Sequence, residues 1–175
     1  MSFLNMNNDP VDDILEQWSA ERPELDTASL GVVIRVMGLY KAFHRQATSA
    51  LEELNLELFE YDVLSALRRQ GKPYALPATR LAKQSDLSNG AMTNRVNKLE
   101  AKGLVRRRPD DNDRRGVIVA LTTKGKKIID KAIQYRLDVA DGSLGGITRK
   151  ERKELAALLR KVRLTAVGNR EKSRN

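Results

Sequence analysis

Residues 88–122 contain the pattern that most restricts how this chain can fold. A helical pattern begins after Ser88, a favoured N-cap, and stops at Gly103, a favoured left-handed cap. Two short stretches predicted to be strands follow, an arginine-containing one at 104–107 and a Val- and Ile-rich one at 117–121. The polar segment between them is too long for a tight hairpin. The pattern therefore predicts a helix, a strand, a loop and a second strand.

Helical patterns also cover most of the remaining chain. We expect residues 1–9 and 169–175 to be disordered tails, because they lack apolar content. The helices are predicted at Val11–Ala20, Ser29–Leu54, Phe59–Gln70, Pro77–Lys83, Thr123–Ala140 and Thr148–Val167, with a short strand at Tyr74–Leu76 and a turn at Asp86–Ser88.

The helix predicted at 29–54 carries a long apolar stripe whose members alternate in steps of three and four. They are Leu30, Val33, Met37, Tyr40, His44, Ala47, Leu51 and Leu54. Such a stripe is typical of a helix packed along another helix, as in a dimer, although burial within one chain would give the same pattern. His44, the lone histidine, is interpreted as a core or interface residue, with a pH or ligand sensor as the alternative.

The charge of the chain restricts its partners. Its 32 lysines and arginines exceed 23 acids and give a net charge of +9, which indicates a polyanion such as nucleic acid or an anionic membrane surface. The sequence shows no apolar run of bilayer length and no secretory signal at its start, so we expect a cytoplasmic protein without a membrane partner. The absence of cysteine excludes disulfides and thiolate metal sites.

Catalysis is not expected from this sequence. It has one histidine, no cysteine, no Gly-x-Ser-x-Gly elbow, no phosphate-cradling glycine loop and no cluster of metal-ligating residues. We therefore predict no enzyme activity, no catalytic residue and no metal site.

The helix after Ser88 has a polar face opposite its core residues Met92, Val96 and Leu99. Small residues and amides suit a helix entering the DNA major groove, because Asn can pair with adenine and Thr can touch a thymine methyl, while Lys meets phosphate. The alternative is an ordinary solvated helix face. The predicted DNA-binding residues of this helix are Ser88, Gly90, Thr93, Asn94, Asn97 and Lys98.

The segment Pro109–Gly116 is predicted to be a wing, because arginines at its ends are interleaved with carboxylates. Asp and Asn favour turns, and Asp113 could orient Arg115 for insertion into a narrow minor groove. The alternative is a charged hairpin with weak surface ion pairs. Because the wing directly follows a helix suited to the DNA major groove, DNA binding is the favoured interpretation. The predicted DNA-binding residues of the wing are Arg107, Asp113, Arg114 and Arg115.

The segment DNDRRGVIVALTTKGKKI resembles the signature of the MarR family, with Asp113, Arg115, Leu121, Thr122 and Gly125 at the matching places. The resemblance extends over nearly the whole of the chain between its tails. It implies a homodimer that binds a palindromic operator, usually as a repressor, and that a small ligand often releases.

The fold class implied is mainly α (α+β), a winged helix-turn-helix with flanking N- and C-terminal dimerisation helices. We expect a single MarR-type domain at 10–168. Within it, 55–122 would form the winged helix-turn-helix, and 10–54 and 123–168 the dimerisation helices. A non-specific architectural or nucleoid DNA-binding protein is the alternative function, because the basic charge alone would support it.

A ligand site is suggested by residues away from the polar helix face. Arg95 lies beside the core face, where it is poorly placed to read bases. The segment Trp-x-x-Glu-Arg-Pro-x-Leu-Asp resembles the urate-responsive PecS type of the family, which implies ligand-binding roles for Trp18, Asp62 and Arg95. Arg80 is only a candidate for a second ligand arginine. A urate-like compound, an aromatic acid or its thioester is the implied effector, and no cofactor is expected.

Each of these three residues also has a simpler interpretation. Asp62 could merely be exposed, Arg95 and Asp62 could form an interlobe salt bridge, and Trp18 could anchor its short helix.

Overall fold

The computed structural model describes residues 9–110 and 113–172, with the backbone alone at 114, 115 and 167–172. A mainly helical chain with one small antiparallel sheet confirms the predicted fold class. The elements are α1 (Pro10–Glu21), α2 (Ala28–Glu52), α3 (Leu58–Arg68), β1 (Ala75–Pro77), α4 (Ala78–Gln84), α5 (Asn89–Ala101), β2 (Val105–Asp110), β3 (Asp113–Leu121), α6 (Thr123–Ser143) and α7 (Arg149–Lys172). They form two compact units, one ending at Leu58 and one beginning at Phe59.

The first unit pairs α1 with α2. Asp9 caps α1, because its carboxylate accepts from the backbone N–H of Val11 at 2.8 Å and of Asp12 at 3.2 Å, while Asp12 accepts from the backbone N–H of Asp9 at 2.9 Å. This capping box satisfies amides that the first turn leaves without partners. It corrects the predicted tail boundary, since Asp9 belongs to the folded chain.

Arg35 attaches α1 to α2. Its guanidinium donates to Oδ2 of Asp9 at 2.8 Å and to Oδ1 of Asp12 at 2.6 Å. The hydrogen bond from Arg35 holds the pKa of Asp9 below its ordinary value. Gly31 lets the two helices approach closely, because a Cβ there would lie 2.8 Å from a methyl carbon of Leu15.

The apolar stripe of α2 divides into a buried part and an exposed part. Ala47 and Leu51 are buried, whereas Met37 is 58% and Tyr40 66% exposed. His44 is exposed and lies beside Tyr40, with 5.8 Å between the ring centroids. The N-terminal half of the stripe therefore lies on the surface of the isolated chain.

The second unit is built around a core shared by α3, α4, α5, α6 and the sheet. Its fully buried apolar side chains include Leu64, Leu67, Leu81, Met92, Val96, Leu99, Leu104, Val119 and Ile129. The predicted turn between α4 and α5 is present, and Asp86 adopts a left-handed conformation there with φ of 52°. The predicted glycine stop is also present, with Gly103 at φ 69°.

The sheet has the strand order β1-β3-β2, and both pairs are antiparallel. The strands continue beyond their predicted ends, to Asp110 and from Asp113, so that the predicted long loop at Pro109–Gly116 is wrong. Polar residues can occupy a strand that is exposed, and proline is tolerated at Pro109 because β2 lies at the edge of the sheet. Residues 111 and 112, between the strands, lie outside the described residues.

A close junction joins β2 and β3 to α6. Thr122 caps α6, since its Oγ1 accepts from the backbone N–H of Gly125 at 2.9 Å and donates to the carbonyl oxygen of Gly103 at 2.8 Å. The backbone N–H of Thr122 donates to the carbonyl oxygen of Leu104 at 3.1 Å. A Cβ at Gly125 would lie 1.9 Å from that same oxygen. The packing of this junction therefore explains why the signature segment has threonine at 122 and glycine at 125.

The last helix, α7, is exposed along an apolar row made by Leu155, Leu158, Leu159 and Val162. It ends at Lys172, which corrects the predicted tail at 169–175 for residues 169–172. Polar content alone does not end a helix, because Arg, Glu and Lys are good helix formers. Within 9–110 and 113–172, no helix is long and apolar enough to cross a membrane.

Candidate nucleic-acid interface

The surface of α5 has the two faces that its sequence predicts. Met92, Val96 and Leu99 are at most 1% exposed. The N-cap Ser88 accepts from the backbone N–H of Ala91 at 3.2 Å, which fixes the start of the helix. The other predicted positions on this helix are exposed on the surface: Gly90, Thr93, Asn94, Asn97 and Lys98.

Gly90 lies in the first turn of α5, where a side chain would meet nothing within 4 Å. The fold itself therefore does not require glycine at this position. A residue without a side chain would instead permit close approach by another molecule, as a DNA backbone would require.

Arg107 lies on β2 but is bonded to α5 rather than extended from the wing. Its guanidinium donates to Oε2 of Glu100 at 2.6 Å, to Oδ1 of Asn97, and to the carbonyl oxygen of Thr93 at 3.3 Å. Its backbone N–H donates to Oε1 of Glu100 at 3.0 Å. The structure thus places this predicted wing residue at the junction between the wing and the helix.

Arg95 and Lys98 share an aromatic neighbour. The guanidinium of Arg95 lies 5.2 Å, and the ammonium of Lys98 5.1 Å, from the centre of the Phe59 ring at the start of α3. Cations are attracted to the faces of aromatic rings at these distances. Lys98 is therefore held near α3 in this structure, while the rest of its side chain remains on the exposed surface of α5.

The wing is described only in part. Asp113 is exposed, whereas the side chains of Arg114 and Arg115 lie outside the described residues, as does the predicted Asp113–Arg115 pair. A Cβ at Gly116 would lie 2.9 Å from the Cβ of Asp110, so glycine permits the two strands to come together near the tip of the wing.

The charges of three arginines act on Asp62 of α3. Asp62 reaches the surface, as its simpler interpretation expected, yet its partial burial raises the pKa of its carboxyl, while the positive charges of Arg95, Arg136 and Arg69 counteract that rise in this order. The charge of Arg95 thus acts on Asp62, and the ligand-binding roles of both residues stay predictions. Arg80 is an exposed residue of α4 and is not among the arginines that act on this carboxyl.

Two members of this group, Arg69 and Arg136, were not singled out from the sequence, and Arg136 lies on α6. Its guanidinium lies 5.7 Å from the centre of the Tyr61 ring. Its Nε is buried without a hydrogen-bond partner among the described residues. Because Arg136 and Asp62 are far apart in the sequence, no local pattern could have predicted that the charge of Arg136 acts on Asp62.

Trp18, the third predicted ligand residue, lies on α1 in the first unit and is 43% exposed. Its ligand-binding role stays a prediction.

A buried ion pair at the end of α5 was not predicted. Glu60 of α3 is fully buried, and Lys102, which follows α5, donates to its Oε2 at 2.7 Å. A glutamate within a predicted helix gives no sign that it will be buried, because glutamate is usually exposed. The pair holds the C-terminal end of α5 against α3.

In the ranges that the structure describes, no group of three His, Cys, Asp or Glu side chains is arranged to hold a metal ion.

Known proteins are similar to this chain in both sequence and fold. A MarR family model matches residues 56–117. The HTH-type transcriptional regulator PecS of Dickeya dadantii is 31% identical over 160 residues, covering 91% of this chain and 96% of PecS. The HTH-type transcriptional repressor NicR of Pseudomonas putida is 28% identical over 142 residues, covering 79% of this chain and 88% of NicR.

A solved structure is similar over most of the chain. It is a mutant MarR from E. coli complexed with operator DNA, with 28% identity and a TM-score of 0.66, covering 83% of this chain and 96% of that one. These relatives are regulators of transcription rather than enzymes. The chain is a member of the MarR family of DNA-binding transcriptional regulators.

Proposed function

We propose that this protein is a homodimeric repressor that binds a palindromic operator and is released from it by a small anionic or aromatic ligand. The observation that carries the proposal is the exposed polar face of α5 beside an arginine-bearing wing, on a chain of net charge +9. MarR from E. coli has been solved with operator DNA, and NicR is described as a repressor.

The α5 helix would enter the major groove and the wing would contact the neighbouring backbone or minor groove. Ser88, Gly90, Thr93 and Asn94 lie at the N-terminal part of the helix, where helix-turn-helix proteins commonly contact base edges and phosphates. Arg114 and Arg115 would contact DNA from the wing, with Asp113 orienting Arg115. Lys98 would leave the Phe59 ring to meet a phosphate.

Dimerisation is supported by apolar surfaces that are exposed in the isolated chain. They lie on α2 and on α7 within the predicted dimerisation helices at 10–54 and 123–168, and their members include Leu30, Val33, Met37, Tyr40, Leu155, Leu158, Leu159 and Val162. Exposed apolar surface on this scale is typical of a protein–protein interface. Two copies of α5 related by a two-fold axis would match an inverted-repeat operator.

The arginine group around Asp62 is the best-supported ligand site. Arg95 is a residue of α5, so it links this site directly to that helix. Arg136 adds a buried hydrogen-bond donor whose charge acts on the same carboxylate. An anionic ligand would compete with the Asp62 carboxylate for these guanidinium groups. Arg95 would then move, and α5 would move with it. The resemblance of the sequence to the PecS type implies a ligand role for Trp18 as well, and a urate-like or aromatic acid ligand.

The test is a gel shift of the full chain on its own promoter region, with random duplex as competitor, over a range of salt concentrations. We expect a sequence preference together with a steep salt dependence. Equal competition by random duplex would contradict the proposal and favour the non-specific architectural protein.

Ligand response has its own test. Urate and salicylate are added to the protein–DNA complex, and release is compared for wild type, Arg95→Ala and the control Arg80→Ala. We expect release of wild type and Arg80→Ala by at least one of these anions, and a blunted response of Arg95→Ala. An unchanged response of Arg95→Ala would remove this residue from the ligand site.

A further inference from the structure

Arg107 fixes the orientation of one side chain on the exposed face of α5. Its guanidinium donates to Oδ1 of Asn97, and the same group is held by Glu100 at 2.6 Å and by the carbonyl oxygen of Thr93 at 3.3 Å. A planar guanidinium with several acceptors around it has little freedom to rotate. The Arg107 guanidinium therefore fixes the orientation of the Asn97 amide.

The chemistry of the two groups determines which end of the amide faces Arg107. A guanidinium has donors and no acceptor, so the amide atom that meets it must be the oxygen. The nitrogen lies at the other end of the same planar group. Asn97, which is exposed, thus directs its NH2 group away from Arg107.

We propose that Arg107 is a specificity-positioning residue, which holds Asn97 as a hydrogen-bond donor toward the base edges. Asn97 would select a base with a major-groove acceptor, such as N7 or O6 of guanine or O4 of thymine, and would disfavour cytosine, whose N4 is a donor. This role rests on the proposed function, because it requires α5 to lie in the major groove.

The charge of Arg107 supports selectivity rather than attraction to DNA. Its guanidinium is paired with the carboxylate of Glu100, so the two charges offset one another near the phosphates. Arg106 precedes it on β2, is exposed, and points to the other side of the strand. The two arginines therefore form a matched pair of variants with the same change of charge.

The test selects from a library of duplexes with a randomised central segment, using the full-length wild type, Arg107→Ala and Arg106→Ala. For Arg107→Ala we expect roughly a tenfold loss of discrimination at one base pair of each half-site, with the other positions unchanged. For Arg106→Ala we expect the base preference to stay intact, because this side chain does not contact Asn97 and lies on the other side of the strand. An intact preference in Arg107→Ala, or only a uniform loss of affinity at all positions, would overturn the inference.

Two variants of Asn97 keep the inference testable even if Arg107→Ala perturbs the wing. Asn97→Ala should lose preference at the same base pair, and the double variant should lose no more than either single one. Asn97→Asp keeps an oxygen for Arg107 but replaces the outward donor with an acceptor, so we expect its preference to move toward cytosine or adenine. Loss at different base pairs in the two alanine variants would contradict the inference.

Failure of the inference and failure of the proposed function give different results. A wild type without any base preference would refute the proposed function and the role of Asn97 with it. A selective wild type whose preference survives in Arg107→Ala would refute the role of Arg107 alone.

Discussion

The carbonyl oxygen of Leu104 occupies the position that a side chain at Gly125 would need, because a Cβ at Gly125 would lie 1.9 Å from it. We expect Gly125→Ala to push α6 away from the base of the wing and to destabilise the protein by about 2–4 kcal/mol, since backbone atoms on both sides must shift. Chemical denaturation followed by circular dichroism measures this change.

Gly142→Ala is the control in the same helix. A Cβ at Gly142 would meet nothing within 4 Å, so this substitution should be neutral or stabilise by about 0.4–1 kcal/mol. Equal unfolding midpoints for the two variants would contradict the steric explanation.

The buried ion pair between Glu60 and Lys102 should be costly to break from one side. Lys102→Met leaves the carboxylate of Glu60 in the core without this ammonium, and we expect a loss of about 3 kcal/mol or more. Replacing both residues, with Glu60→Leu and Lys102→Met, should recover part of that loss. Urea unfolding of the single and double variants provides the measurement.

Glu154→Ala serves as the reference for an exposed pair. Oε1 of Glu154 lies 3.9 Å from Nζ of Lys150 on the surface of α7. An exposed ion pair of this kind contributes about 0–1 kcal/mol. A double variant less stable than Lys102→Met would show that the pair does not impose the expected desolvation cost.

Asp62 should make stability fall as the pH rises. Burial raises the pKa of its carboxyl above 3.8, so the folded chain binds this proton more tightly than the unfolded chain does. Its contribution to the free energy of unfolding therefore decreases from pH 3.8 up through the raised pKa. We expect Asp62→Asn to remove this decrease and to stabilise the protein modestly at neutral pH. Unfolding midpoints at a series of pH values test this.

The carboxyl of Asp9 should give stability the opposite pH dependence, which Asp9→Asn should remove. Its pKa is lowered mainly by the hydrogen bond from Arg35, so its stabilising contribution is present above pH 3.8 and is lost as the pH falls through the lowered pKa. The same pH dependence for both variants would contradict the assigned causes.

The apolar row on α7 should support association of two chains. Leu158 is 59% exposed, and we expect Leu158→Glu to lower the apparent mass in sedimentation toward that of one chain, because a charge in an apolar interface is not solvated. Lys153→Glu, which changes an exposed residue on the opposite side of the helix, should leave the mass unchanged. A wild type that sediments as one chain would contradict the proposed dimer.

Local signals predicted the framework of the DNA-binding unit. The caps at Ser88 and Gly103 act within a few residues, and each was found where the sequence placed it. The core face of α5 was also predicted, because helical periodicity separates Met92 and Val96 from their polar neighbours.

Contacts between distant residues were not predictable in this way. The sequence assigned Arg107 to the wing, yet the acceptors on α5 hold its side chain. Nothing local distinguishes Arg136 from other helical arginines, although its charge acts on Asp62. Composition failed at Pro109, since a polar, proline-containing segment looks like a loop but forms an exposed strand.

The two outer strands of the sheet both contain proline, Pro77 in β1 and Pro109 in β2. Proline has no N–H to donate, so neither margin presents the uninterrupted row of donors and acceptors that recruits a strand from another molecule. Molecules crowded on neighbouring DNA sites would thus be protected from aggregating through their sheets, and association is left to the helices.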